Sequence, residues 1–178
     1  QIFDTHAYLL SGIVELYGAS LKSEYLSFAI EIADRMIEAF YDPEAGGFYQ
    51  STGTKDLIIR LKEDYDGAEP SGNSVAVLAL LKLAAITGKE SYRQTADKTL
   101  GYFSGRMKSM AVAVPYMVSA ADFASREPNR VVIAGSVDSS KAKELLRAAH
   151  SVYQPHKVIL GTNGPIEEFA KSLAGGDK

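Results

Sequence analysis

A cluster of carboxylates in the middle of the chain is the first feature that suggests chemistry. Within seven residues the sequence carries Glu63, Asp64, Asp66 and Glu69. Sugar chemistry commonly uses two carboxylates, one as an acid and the other as a base or nucleophile, and their separation sets the stereochemical outcome. Near the start of the chain, Asp4 adds a further carboxylate and His6 adds an imidazole, a group suited to proton abstraction near neutral pH. The candidate catalytic residues are therefore Glu63, Asp66, Asp4 and His6.

Aromatic and hydrogen-bonding side chains flank this cluster. Aromatic faces beside polar groups are what a sugar ring requires for stacking and orientation. The candidate substrate-binding residues are Tyr49, Tyr65, Ser71 and Asn73.

The same residues have a purely structural interpretation. Asp66 and Ser71 are suited to capping a helix, and Glu63 to a solvated turn or a pair with Arg60. The aromatic residues would then anchor the loop, and Asn73 would bond the loop backbone. Sequence alone leaves both interpretations open.

Composition excludes several classes of function. The 178 residues contain no Cys, which removes thiol redox catalysis, thiolate metal sites and disulfides and fits a cytoplasmic protein. A net charge of -3 provides no basic field for nucleic acid, and no apolar run is long enough to span a membrane. The sequence has no His-x-x-x-His spacing and no glycine-rich phosphate motif, so we predict neither a metal nor a cofactor.

Apolar periodicity predicts paired helices. One stripe starts at a cap at Asp4 or Thr5 and ends near Gly18, and a second, amphipathic stripe follows up to residue 40. Residues 74–86 are almost entirely apolar, which predicts a buried inner helix ending at Gly88. A shift of 67 residues aligns the first pair of helices with the second, so we predict stacked helical hairpins. A third, incomplete hairpin begins at Pro115.

The remaining segments predict two smaller features. The 41–71 connection is too long for a simple turn, and its apolar runs indicate a β-hairpin at about 45–62 with a turn at Gly53. Short strands at 131–134 and 157–160 flank a helix at 139–151, which predicts a parallel β-α-β unit. A last helix is predicted at 166–173. The chain then divides into a helical-hairpin segment, 1–127, and a β-α-β appendage, 128–178.

Residues 62–74 carry a specific resemblance. The run Lys-Glu-Asp-Tyr-Asp-Gly-Ala-Glu-Pro-Ser-Gly-Asn-Ser resembles a signature of the spermatogenesis-associated, thioredoxin-domain-containing family, which includes the bacterial YyaL-like proteins. Residues 4–17, 42–49 and 131–135 resemble other parts of that family. The resemblance covers nearly the whole chain.

This resemblance implies a place in the C-terminal half of a longer protein, after a thioredoxin-like domain. The implied fold is mainly α: a partial (α/α)6 toroid of stacked helical hairpins with a small C-terminal β-α-β unit. Six-hairpin glycosidases and N-acylglucosamine 2-epimerase share such toroids. The chain departs from the family in having no thioredoxin-like domain, so no redox role carries over, and in having Thr5 and His6 where the family has Asp and Tyr.

Two functions follow as hypotheses. In a toroid, the loops that enter the inner helices gather at one end, which would bring Asp4, His6, the 41–71 connection and the 108–115 connection together. This end would bind or transform a sugar-like small molecule by glycosidase-like or epimerase-like chemistry. The alternative is a non-catalytic helical scaffold that works with the absent thioredoxin-like domain. The expected partners are the sugar-like molecule and either the missing N-terminal half of the parent protein or a second copy of the chain, with no nucleic acid and no membrane.

Overall fold

The computed structural model describes residues 2–52, 60–164 and 168–174. The helices are α1 (Phe3–Ser20), α2 (Ser23–Phe40), α3 (Gly72–Thr87), α4 (Glu90–Ser109), α5 (Pro115–Ala124), α6 (Ser140–Ser151) and α7 (Glu168–Ala174), and the strands are β1 (Asn129–Ile133) and β2 (Lys157–Gly161). The predicted fold class is confirmed: the chain is mainly helical with a small parallel sheet. None of the helices described is both long and apolar enough to cross a membrane.

The helices pack as two hairpins and part of a third. Helix α1 packs on α2 and α3 packs on α4, while α1, α3 and α5 lie side by side as an inner layer. No residue of α3 is exposed, because its apolar side chains cover nearly the whole circumference and neighbours surround it. This arrangement is the one that the 67-residue repeat predicts.

The ends of α1 differ from the prediction. Ile2 precedes the helix without a side-chain cap, and Asp4 already lies in the first turn, so a cap at Asp4 or Thr5 is wrong. The helix also passes Gly18 and ends at Leu21, which has a left-handed backbone with φ 55°. Burial of the Leu21 side chain offsets this strained conformation. At Gly88 the prediction is correct: φ is 70°, and its amide donates to the Ala84 carbonyl at 2.8 Å.

The 41–71 connection contains isolated antiparallel bridges in its described part. Tyr41 pairs with Phe48, Ser51 pairs with Ile2 at the start of α1, and the Gln50 amide donates to the Leu61 carbonyl at 2.9 Å. The predicted turn at Gly53 lies outside the described residues. A hairpin over 45–62 therefore stays a prediction.

The β-α-β unit docks on the C-terminal ends of the inner helices. Strands β1 and β2 are parallel, with α6 between them in sequence, as predicted. Three side chains of this unit donate to carbonyls in the last turns of the inner helices: His150 to Gly18, Arg130 to Ala85 and His156 to Asp122. Carbonyls in the last turn of a helix have no partner within the helix, so these bonds satisfy both sides of the interface. The predicted helix at 166–173 corresponds to α7, which packs on α3.

Candidate functional site

The 41–71 connection crosses the N-terminal ends of the inner helices. The Phe3 amide donates to the Gln50 carbonyl at 3.0 Å, and the Tyr8 hydroxyl donates to the Pro70 carbonyl at 2.5 Å. The Asp66 amide donates to the Ala113 carbonyl at 2.9 Å, which joins the connection to the start of α5. The surface formed by Asp4, Tyr8, residues 63–71 and Tyr116 is termed the mouth below. Of the parts predicted to gather at this end, these hydrogen bonds join the start of α1, the 41–71 connection and the 108–115 connection.

Asp66 fixes the geometry of the mouth. Its buried carboxylate accepts from the Ser71 amide at 2.8 Å through Oδ1, and from the Tyr116 and Met117 amides at 2.8 and 3.2 Å through Oδ2. Amides at a helix start have no partner within the helix, and a negative charge there is favoured by the helix dipole. Asp66 is therefore a positioning residue that ties the start of α3 to the start of α5.

Ser71, at the end of the mouth segment, and Asn73, just after it, are buried and form hydrogen bonds within the protein. The Ser71 hydroxyl accepts from the Ser74 amide at 3.2 Å and so caps α3. Asn73 is fully buried; its Oδ1 accepts from the Phe48 amide at 2.8 Å, and its Nδ2 donates to the carbonyls of Phe48 and Glu63 at 3.0 and 2.9 Å. These bonds join two parts of the connection, which is the structural role that the sequence left open for Asn73.

Asp4 has a different environment. Its Oδ1 is buried and has no hydrogen-bond partner among the described residues. The oxygen lies against the backbone of Gly72, where a Cβ would stand only 2.1 Å from it and 2.8 Å from the Phe3 ring. Glycine is therefore required at position 72 for this close approach. An unpaired buried carboxylate oxygen is costly, so its presence at the mouth requires an explanation.

Tyr8 shows that the mouth is electronegative. Burial raises the pKa of its hydroxyl above the usual value, and the carboxylates of Glu69, Asp4 and Asp66 raise that pKa further. Sequence reasoning did not select Tyr8. Its position four residues after Asp4 puts both on one face of α1, which is the signal that could have found it.

Two other predicted residues, Glu63 and Tyr65, belong to the mouth, and His6 lies beside it. Glu63 is exposed, and its Oε2 accepts from the Gln50 side-chain amide at 2.7 Å. Tyr65 is also exposed. His6 is partly buried: its ring bonds the Ile2 carbonyl through Nδ1 at 3.1 Å and packs on the Phe40 ring, with centroids 5.2 Å apart.

Tyr49 belongs to a largely buried ion-pair cluster. Its hydroxyl donates to Asp42 Oδ2 at 2.8 Å, and the same oxygen accepts from Lys62 Nζ at 2.7 Å. The Lys62 ammonium also lies 4.2 Å from the centroid of the Tyr102 ring. The bond from Lys62 is the main cause that holds the pKa of Asp42 well below its usual range, with smaller contributions from the Ala45 amide and the Tyr49 hydroxyl. This cluster anchors the connection to α4.

Comparison with known proteins identifies the family. The profile of glycosyl hydrolase family 47 matches residues 1–149. The chain belongs to glycosyl hydrolase family 47. Spermatogenesis-associated protein 20 of Mus musculus is 36% identical over 168 residues, which are 93% of this chain and 21% of the relative. The Homo sapiens protein of the same name is 35% identical over the same shares of the two chains. The resemblance inferred from residues 62–74 is thereby confirmed.

A more distant relative carries an enzyme's name. The endoplasmic reticulum mannosyl-oligosaccharide 1,2-alpha-mannosidase of Schizosaccharomyces pombe is 30% identical over 108 residues, which are 59% of this chain and 20% of that protein. The family 47 match and this relative support a glycosidase-like fold. The chain spans about a fifth of the length of the curated relatives it matches.

Removal of the Asp66 charge should destabilise the fold. In Asp66→Asn, at least one backbone amide would face the side-chain NH2 group, and the charge at the start of α5 would be lost. We expect a loss of about 2–3 kcal/mol of unfolding free energy, measured by urea denaturation. The control is Glu69→Gln, an exposed residue of the same connection, which should change stability by less than about 0.5 kcal/mol. Equal stabilities for the two variants would contradict the positioning role.

The ion pair at Asp42 should give stability a pH dependence. Its pKa is lowered by folding, so its stabilisation is present above the unfolded pKa of about 4 and is lost as pH falls through the folded pKa. The difference in Tm between the native chain and Asp42→Asn should be constant above about pH 5 and shrink in more acid solution. Asp97→Asn is the control, because it removes an exposed pair with Arg93 and should lower Tm much less. A difference that grows on acidification would refute this account.

Proposed function

We propose that the mouth binds a sugar-like small molecule and that the chain contributes this surface to a carbohydrate-active protein. The observation that carries the proposal is the acidic, tyrosine-bearing surface on which Asp4, Asp66 and Glu69 surround Tyr8, and on which one oxygen of Asp4 lacks a partner among the described residues. Asp4 as a whole is only partly buried, and a ligand hydroxyl is a suitable donor for the accessible part of its carboxylate. The family 47 match and the mannosidase relative favour a sugar as the source of that hydroxyl.

Asp4 and Glu63 are the carboxylates that we assign to the chemistry. Gln50 links them. Its carbonyl accepts from the amide of Phe3, the residue before Asp4, and its side-chain amide donates to Glu63. Two carboxylates on one surface suit the acid and base roles of glycoside chemistry. Tyr8 and the exposed Tyr65 supply aromatic faces for the sugar ring, and Asp66 acts only by holding the helix starts in place.

Titration with an α-1,2-linked mannose disaccharide tests the sugar proposal. Amides of residues 4–8 and 63–71 should shift in the NMR spectrum of the 178-residue chain. Asp4→Asn and Glu63→Gln should each weaken binding about tenfold, because each removes a charge-assisted hydrogen bond. Glu24→Gln, an exposed change in the first turn of the outer helix α2, should leave binding unchanged. If neither this disaccharide nor N-acetylmannosamine nor glucose shifts the mouth, the sugar proposal fails.

A scaffold role is the second candidate, and an exposed apolar stripe favours it. Leu9 and Leu16 are exposed at seven-residue spacing along one side of α1, and Ile2 is exposed just before the helix begins. Residues two helical turns apart lie on the same face, and a repeating stripe of this kind is suited to packing against another helix. In a protein built of stacked hairpins, a second copy of the chain or a further hairpin would supply that helix.

Sedimentation tests the scaffold role. We expect the native chain to self-associate as its concentration rises, and Leu9→Lys and Leu16→Lys to reduce this association. The matched control is Leu145→Lys, which changes an exposed leucine on α6 and should leave association unaltered. A native chain that stays monomeric at every concentration would contradict self-association through this stripe.

A further inference from the structure

A cavity lies at the opposite ends of the inner helices from the mouth. It has a volume of about 520 Å³, is open to solvent on one side, and is lined by α1, α3, α5 and the segment joining α6 to β2. Its apolar walls include Val14, Leu78, Ile86, Val118, Phe123 and Val158. Cavities of this size with mainly apolar walls and a few polar groups are typical of small-molecule sites.

Two nitrogen–carboxylate pairs line this cavity, and each has the same asymmetry. Lys82 of α3 pairs with Glu15 of α1, and His156 pairs with Asp122 of α5 at 2.9 Å between Nε2 and Oδ2. The Lys82 side chain is 23% exposed against 63% for Glu15, and His156 is 12% exposed against 50% for Asp122. In both pairs the nitrogen donor is the more buried member and the carboxylate is the more exposed one.

Because of this difference in exposure, the carboxylate of a ligand can replace the protein's own carboxylate at a low cost in free energy. An exposed carboxylate can leave its partner and be solvated at little cost, because such a pair contributes little stability. The more buried ammonium, in contrast, needs an acceptor and would be costly to leave unpaired. Glu15 is the more exposed of the two carboxylates, and its partner Lys82 is the donor available for exchange.

We propose that this cavity binds a small organic carboxylate with an apolar body. The carboxylate of the ligand replaces that of Glu15 on Lys82, and the apolar walls around Phe123 hold the body of the ligand. His156, stacked on Phe123 with ring centroids 5.8 Å apart, stays paired with Asp122 and forms part of the wall. This site does not rest on the sugar proposal, because the mouth lies at the other ends of α1, α3 and α5.

Benzoate and its neutral isostere benzamide test the proposal on the 178-residue chain. Benzoate should shift amides of 78–86, 118–123 and 154–159 in the NMR spectrum, and benzamide should bind about tenfold more weakly or worse. Lys82→Gln should weaken benzoate binding at least about tenfold. Glu15→Gln should strengthen it several-fold, because that variant removes the internal competitor for Lys82. This opposite sign distinguishes exchange from a merely structural ion pair.

Glu38→Gln makes the same change of net charge near the opposite end of α2, where Phe40 contacts Phe3 at the start of α1, and should leave the affinity for benzoate unchanged. The thermal unfolding of Lys82→Gln shows whether that variant is folded, and the Glu15→Gln result decides the proposal even if it is not. Equal binding of benzamide and benzoate, or weaker or unchanged binding in Glu15→Gln, would overturn it. Shifts of the same amides by glucose but not by benzoate would also overturn it.

Discussion

One buried carboxylate joins the starts of two of the inner helices, α3 and α5. Asp66 accepts backbone amides from Ser71, Tyr116 and Met117, so a single side chain satisfies donors at the starts of two helices. A buried charge is tolerated only when hydrogen bonds replace its water shell, and the free amides of helix starts serve this purpose. This link therefore fixes the part of the mouth that lies between the starts of α3 and α5.

The dipoles of the inner helices account for the different chemistry of their two ends. The starts of parallel helices favour acceptors, and the mouth accordingly collects Asp4, Asp66 and Glu69. The C-terminal ends favour donors, and there the β-α-β unit contributes Arg130 and two histidines to backbone carbonyls. One layer of helices thus carries an acidic surface at one end and a donor-rich surface at the other.

Sequence patterns predicted the elements of the fold better than their ends and contacts. The apolar circumference of α3 and the glycine at its end are local signals, and both were interpreted correctly. The end of α1 at Leu21 was missed because tertiary burial, not local preference, stabilises its left-handed backbone. The role of Asp66 could be named only as one of two alternatives, because two of its amide donors come from a helix about 50 residues further along the chain. The sequence identified Asp4 as a candidate carboxylate. It could not predict the unpaired oxygen, because that oxygen lies against Gly72 only in the folded chain.

The docking of the β-α-β unit has a consequence for the order of folding. His150 meets the Gly18 carbonyl across 132 residues of sequence, and the Gly161 amide meets the Tyr17 hydroxyl across 144 residues. Closing loops of this length costs chain entropy before any contact is gained, and a two-stranded sheet is not stable by itself. The hairpins, whose contacts are local, can form first and present the carbonyls on which the sheet assembles. We therefore expect the C-terminal strands to dock only after the hairpins have formed, which places ordering of the strands late in folding.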